Sequence, residues 1–444
     1  MKKRSKQRPR KEGNPDLRRQ RQTPALEIPQ LVEELKEYLN PCLFTPLKYV
    51  PGNHDKLMRE RLLTLPVMVA LVLSLVYRQI AGLSDAVRVL KEEGLLWVKP
   101  LKVSKQALSK RLMNFPAEIF AVLLKKVLEK RRENAAEIPL EKQWETVRKR
   151  FSVLWIADGS TLEQLRKRLK IAPKESGELA GKMMVIVEAL TQIPVTVWYE
   201  ENSRCNDKIW CQELLEALPK SGLLIIDLGF FCFGWFDQFT QENKFFLTRM
   251  RAKTAYQSQR VLSRGAYYRD EIIHLGKYRS NPCHHPVRLV SVLWGKTWYY
   301  YLTNVLDDEQ LSPQEVCDLY RRRWKIEEAF SLTKRLLGLA YLWVGHTNGV
   351  QIQILATLIF YTVLNQLVGE VAIALHQPKE KISVEMVFRS LYYVAKAVLR
   401  GENPDVVTYL AERAKLFGLI KAERKRHREK DAISRQIWEP VPLS

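Results

Sequence analysis

A mixed α/β sheet flanked by helices, preceded by a helical region and interrupted by a β-rich insertion, is the fold class this sequence predicts. Three observations lead to it. Runs rich in β-branched and aromatic residues recur at 151–157, 182–190 and 194–199, the last two separated by a tight turn at Thr191-Gln-Ile. Helical spacing then alternates with further strands: a helix over 208–218, a strand at 223–226, a short helix, and a strand at 244–248. Finally, residues 320–334 contain neither Gly nor Pro and carry the apolar spacing of a helix.

Taken in order, residues 1–28 form a basic, Pro-containing arm that has too few apolar residues to pack and is expected to be disordered, touching phosphates without sequence preference; a solubilising tail with no role is the alternative. Residues 29–132 have helical spacing punctuated at Pro41, Pro46, Pro51-Gly52 and Pro100, and are expected to form a helical DNA-binding domain. Within them, 84–93 and 104–112 suggest two helices and a turn, the second capped by Ser104, with Gln106, Ser109, Lys110 and Arg111 suited to phosphates or base edges. Any two packed amphipathic helices share that pattern, so ordinary packing stays open as a reading. Residues 133–150 are charged and loosely patterned, as a linker is.

The α/β domain follows as 151–251 and 305–375, with a short helical piece expected at 161–170 and a helix from Ser312 through residue 334. Residues 252–304 alternate short β-like runs with turns and form the insertion. The remainder, 376–444, reads as helical with a basic tail at 421–430.

Composition narrows the function. The 444 residues include 72 Lys and Arg against 49 Asp and Glu, a net charge of +23 with 46% hydrophobic residues, so the chain is long and apolar enough for a large core yet strongly basic. Nucleic acid is the leading partner and an anionic membrane surface the next. Six scattered cysteines give neither a disulfide framework nor zinc spacing, which fits a reducing cytoplasm, with association to the nucleoid. The basic start is not followed by a secretory apolar core, and the apolar runs at 62–77 and 350–367 are broken by Pro66 and by Gln351, Gln353, Asn365 and Gln366, so both are expected as buried helices and no membrane partner is expected. Cys283-His284-His285 lacks metal-ligand spacing; a turn or surface segment is the simpler reading.

On a helical wheel Tyr320, Arg323, Glu327 and Lys334 fall within an arc of about 60°, beside an apolar stripe of Ile326, Phe330 and Leu337. A carboxylate repels phosphate unless a divalent metal lies between them, whereas Arg and Lys bind phosphate directly, so the mixture points to metal-assisted chemistry on a polyanion. A solvated face of i,i+4 ion pairs is the plainer alternative. Asp158 and Asp227 each end a very apolar run and are closely followed by a glycine, where open α/β sheets place ligands; an ordinary turn would show the same residues. Three carboxylates without a nearby histidine or thiolate suit hard divalent cations. Glu328 is a rival to Glu327, disfavoured because it lies more than about 100° from Arg323 and Lys334.

At these residues the chain resembles a known family. Tyr320-x-x-Arg323-x-x-x-Glu327-x-x-x-x-x-x-Lys334 is similar to the Tyr-Arg-Glu-Lys signature of one branch of DDE transposases from bacterial insertion sequences, and Ala157-Asp158-Gly-Ser and Ile226-Asp227-Leu-Gly-Phe230 resemble the other two blocks in the same order. The resemblance covers roughly residues 150–365. It implies a ribonuclease H-like fold, with Asp158, Asp227 and Glu327 as the catalytic triad holding two Mg2+ ions, for which Mn2+ may substitute. It further implies that Tyr320, Arg323 and Lys334 grip element-end phosphates, and that Trp324, Trp298 and Tyr299 stack a flipped base at a hairpin. Arg249 and Arg251 would be further DNA contacts. The reaction so implied is cut-and-paste transposition on double-stranded DNA, both terminal inverted repeats and target, by a homodimer when it holds two ends. A nuclease that cuts without joining and a binder without activity are the competing readings.

Overall fold

The computed structural model describes residues 27–38, 49–50, 53–57, 62–80, 82–133, 138–162, 181–331, 333, 337, 343–344, 346–422 and 437–438. The basic arm before Glu27 and most of the basic tail lie outside the described residues, as does the helical piece expected at 161–170 apart from its first two positions, where Thr161 proves to be strand, paired with Lys182.

Six helices come first: α1 (Pro29–Tyr38), α2 (Leu65–Tyr77), α3 (Leu83–Glu92), α4 (Lys105–Asn114), α5 (Ala117–Glu133) and α6 (Lys142–Lys149), with a small hairpin of β1 (Tyr49–Val50) and β2 (Asn53–Leu57) between the first two. α2 is apolar on every side and is buried from Met68 to Tyr77, as an all-round apolar helix must be. α4 starts where expected, its first turn capped by Ser104, whose Oγ accepts from Ala107 N at 3.1 Å. α3 and α4 touch, but the connection over 93–104 makes a turn of its own, with Leu95 bridged to Val98. It is longer than the roughly 3–4 residues of a compact helix-turn-helix. The stretch expected as a linker holds α6, which buries Trp144 and Val147.

The centre is a nine-stranded sheet in the order β5-β4-β3-β6-β7-β11-β10-β9-β8. β3 (Leu154–Thr161), β4 (Lys182–Glu188) and β5 (Pro194–Glu200) are antiparallel neighbours, while β6 (Leu223–Ile225) and β7 (Phe245–Arg249) run parallel to β3. A 3-10 turn, Asp207–Trp210, and α7 (Cys211–Ala217) join β5 to β6, and α8 (Phe233–Gln241) joins β6 to β7. The insertion is β8 (Tyr256–Arg264), β9 (Tyr268–Leu275), β10 (Val287–Trp294) and β11 (Thr297–Thr303); β11 pairs directly with β7, so the insertion prolongs the main sheet.

Alternation sorts the strand residues between two cores. Leu154 and Ile156 of β3 and Leu223 and Ile225 of β6 pack with the N- and C-terminal helices, whereas Trp155, Ala157, Leu224 and Ile226 pack with α7 and α8. The helices that close the first face are α9 (Pro313–Arg322), α10 (Trp324–Ser331), α11 (Thr347–Ala374), α12 (Val384–Leu399), α13 (Val406–Glu412) and α14 (Ala414–Phe417). α11 has the length and apolarity to cross a membrane, yet 89% of its most apolar window is buried inside the protein, against α5, α2, α12 and α13.

One buried ion pair fixes the crossover into α9. Arg288 of β10, wholly buried, meets both oxygens of Asp270 on β9 at 2.8 and 2.6 Å and donates to the carbonyl of Leu311 at 2.6 Å. α9 then begins in a capping box: Ser312 Oγ accepts from Glu315 N and Glu315 Oε2 accepts from Ser312 N at 2.8 Å.

Candidate active site

The first aspartate does not end its strand. β3 continues through Asp158 to Thr161, because Asp158-Gly-Ser-Thr stays in register with Lys182–Val185 of β4. The expected strand end was drawn from the loss of apolar residues, whereas edge-to-edge pairing carries the backbone further. Alternation puts Asp158 on the face of Leu154 and Ile156, the face covered by α10. Asp227 follows β6 and caps the 3-10 turn Leu228–Phe230, its Oδ1 accepting from Gly229 N at 2.7 Å.

The long helix expected from Ser312 is broken at Arg323, where the hydrogen bonds shorten to a tighter turn: Arg323 N donates to Tyr320 O and Ile326 N to Arg323 O. Arg323 is buried, and its guanidinium lies between two carboxylates, Nη1 3.1 Å from Asp158 Oδ2 and Nη2 3.6 Å from Glu327 Oε1. Its guanidinium also lies 5.9 Å from the Tyr320 ring centroid, and burial raises the pKa of that phenol against the pull of the Arg323 charge. Glu328 pairs with Lys325 instead, at 3.2 Å, which leaves Glu327 as the acidic residue of this helix that faces Asp158. Lys334 lies outside the described residues.

The Asp158 carboxyl is pushed up to about 7, first by burial, with Asp227, Glu327 and Asp207 each repelling its charge and Arg323 alone opposing them. Three acidic residues far apart in sequence therefore share one field, and a fourth, Asp207, joins them. Neither Asp207 nor its partner Lys182, 2.6 Å away, was legible in the sequence, because the segment around Asp207 is polar and without periodicity. Among the described residues no three His, Cys, Asp or Glu side chains converge closely enough to hold a metal ion as they stand. At Asp158 and Glu327, Arg323 takes the place of one. The donors still fit a hard cation: all are carboxylate oxygens, and the repulsion that raises Asp158 is what positive charge would relieve.

The aromatic and basic residues divide between the faces. Arg249, on β7, is opposite Tyr301 of β11, whose ring packs on Tyr320 at 5.2 Å, and its guanidinium lies 5.6 Å from the Tyr299 ring centroid. Arg249, Tyr299 and Tyr320 thus lie on the face of Asp158. Trp324 is 58% exposed beside Arg323, 5.0 Å from guanidinium to ring. Trp298 does not join them: it neighbours Tyr299 along a strand, and strand alternation sends it to the opposite face. Arg251 also departs, lying beyond the end of β7 over the ring of Phe231 at 5.9 Å, in the second core.

Cys283-His284-His285 proves to be a bend tied to Asp237. Asp237 of α8 accepts from the backbone N of His284 and His285 and from His285 Nδ1 at 2.8 to 2.9 Å, and these hydrogen bonds hold its pKa low against the effect of burial.

Residues 150–363 match the family model of the transposase DDE domain. That match supports a DDE transposase, a DNA-cleaving enzyme of transposition and recombination, with DNA as partner. No curated protein matches the chain.

Proposed function

We propose that the protein is the transposase of a bacterial insertion sequence, of the branch with the Tyr-Arg-Glu-Lys signature, and that it works by cut-and-paste transposition. The observation that carries this reading is the single charged cluster in which Arg323 bridges Asp158 and Glu327 while Asp227 acts on the same carboxylate. The order β5-β4-β3-β6-β7, with two antiparallel pairings and then two parallel ones, supports a ribonuclease H-like arrangement of the central domain.

In this reading Asp158, Asp227 and Glu327 hold divalent cations, two Mg2+ per site with Mn2+ as substitute. When bound, these supply the positive charge that a phosphoryl-transfer transition state needs. Arg323 exchanges its carboxylates for an element-end phosphate, with which its planar fork pairs equally well. The Tyr320 hydroxyl and Lys334 complete the grip. Trp324 and Tyr299 stack an unpaired base, as a hairpin intermediate requires, while Arg249, beside the Tyr299 ring, meets the backbone. Water cleaves one strand at each end; the freed 3′-hydroxyl attacks the opposite strand, and later target DNA. Holding two ends calls for a homodimer with one site per subunit. The exposed Lys105, Gln106 and Lys110 of α4 offer a surface for reading the inverted repeat. A cytoplasmic protein associated with the nucleoid accords with the charge of +23.

Labelled element ends, target plasmid and Mg2+ test the proposal. The wild type yields joined products, and Glu327→Gln binds ends with unchanged salt dependence but neither nicks nor joins. Metal-dependent nicking that persists in Glu327→Gln removes Glu327 from the triad, and cleavage without joining makes the protein a nuclease.

A further inference from the structure

Behind the strand that carries Asp158 sits a second ion pair. Asp207 opens the 3-10 turn Asp207–Trp210, and its Oδ1 lies 2.6 Å from Lys182 Nζ, which also donates to Cys205 O at 3.1 Å. Both members are largely shielded, with side chains 23% and 12% exposed. The pair rests on Gly159: a Cβ there would overlap Asp207 Oδ1 and come within 3.2 Å of Lys182 Cε. Gly159 follows Ala157 on the second face of β3, so Asp207 approaches the Asp158-Gly159 backbone from the side opposite the Asp158 carboxyl. It also reaches the turn of the other aspartate. A Cβ on Gly229 would stand 2.9 Å from Asp227 Oδ1 and 3.8 Å from Asp207 Oδ2, so the same small residue separates the two carboxylates.

We propose that Asp207 is a positioning residue of the active site, seating the Asp158-Gly159 strand and the Asp227 turn from behind, and that Lys182 sets how much of its negative charge the cation pocket feels. The inference rests on the reading that Asp158, Asp227 and Glu327 hold divalent cations. Asp207 touches no reacting atom; it acts through Asp158 and Asp227. Lys182 is its counter-charge, so removing either partner changes the potential at the pocket in opposite senses. Loss of the carboxylate takes away an attraction for the cation, and loss of the ammonium takes away a repulsion. A brace with no electrostatic part gives the same sign for both, because either change breaks the same ion pair.

Mn2+ binding to the full-length protein, followed by the electron paramagnetic resonance of free Mn2+ and paired with thermal unfolding, separates these cases. Asp207→Asn is expected to weaken Mn2+ binding and Lys182→Met to tighten it, each by roughly 3- to 10-fold, a span set by one charge acting across a partly solvated protein. Asp207→Glu is expected to restore part of the loss. Shifts of the same sign in both variants, or no shift in either, overturn the inference. An Asp158→Asn protein that binds Mn2+ as tightly as the wild type overturns the cation site itself, and with it the premise.

Discussion

Replacing Asp158 by Asn should make the protein more stable while it destroys cleavage. Burial and three like charges lift the Asp158 carboxyl from an ordinary 3.8 to about 7, against the pull of Arg323. An acid that holds its proton more tightly in the folded chain favours folding below its unfolded pKa, and that contribution is lost as pH rises through the folded value. The loss runs from about pH 4 to about pH 7 and, at about 1.36 kcal/mol per unit, reaches about 4 kcal/mol as an upper bound. The side chain is only 15% exposed, so solvent screens little of it, although local relaxation lowers the realised figure. Asn keeps the shape without the charge, and Arg323 retains Glu327. Urea unfolding from pH 4 to pH 8.5 in chelator should show the two proteins alike at the acid end and Asp158→Asn ahead by roughly 2–4 kcal/mol at pH 8. Parallel curves across that range would refute the argument, because they would mean that Asp158 is not held among like charges. Added Mg2+ should close the gap by stabilising only the wild type.

Arg288→Met should cost about 3–5 kcal/mol by stranding Asp270 in the core, and adding Asp270→Leu should recover much of it, as read from chemical denaturation of single and double variants. Trp324→Ala should weaken binding to an end with an unpaired base by about 1–3 kcal/mol, while Trp298→Ala, on the far face, leaves it unchanged; fluorescence of a base analogue at the flipped position compares them. Arg323→Gln should abolish tight end binding, yet let the DNA-free protein take up Mn2+ more strongly than the wild type, since the guanidinium and the cation compete for Asp158 and Glu327. Weaker Mn2+ uptake by that variant would contradict the competition.

Residue type and short-range periodicity sufficed for a good part of this. The two-residue repeat of β3 sends Asp158 to the side of Leu154 and Ile156, and the helical repeat places Arg323 and Glu327 one turn apart; both are properties of a few consecutive backbone dihedrals and need no knowledge of the rest of the chain. The Ser312 cap, the Ser104 cap and the buried character of α11 were readable for the same reason. Other features depend on meetings between distant segments. Strand pairing with β4 carried β3 beyond Asp158, pairing of β11 with β7 made the insertion part of the main sheet, and the break at Arg323 appears where its guanidinium reaches across to β3. Asp207 and Lys182 gave no local sign, since a polar residue at the start of a turn or a strand acquires a role only when folding sets it behind a particular glycine. Local geometry is thus written in neighbouring residues. The identity of each charge's partner comes from the folding of the whole chain, because Coulomb energy and burial depend on distance in space and not on distance along the backbone.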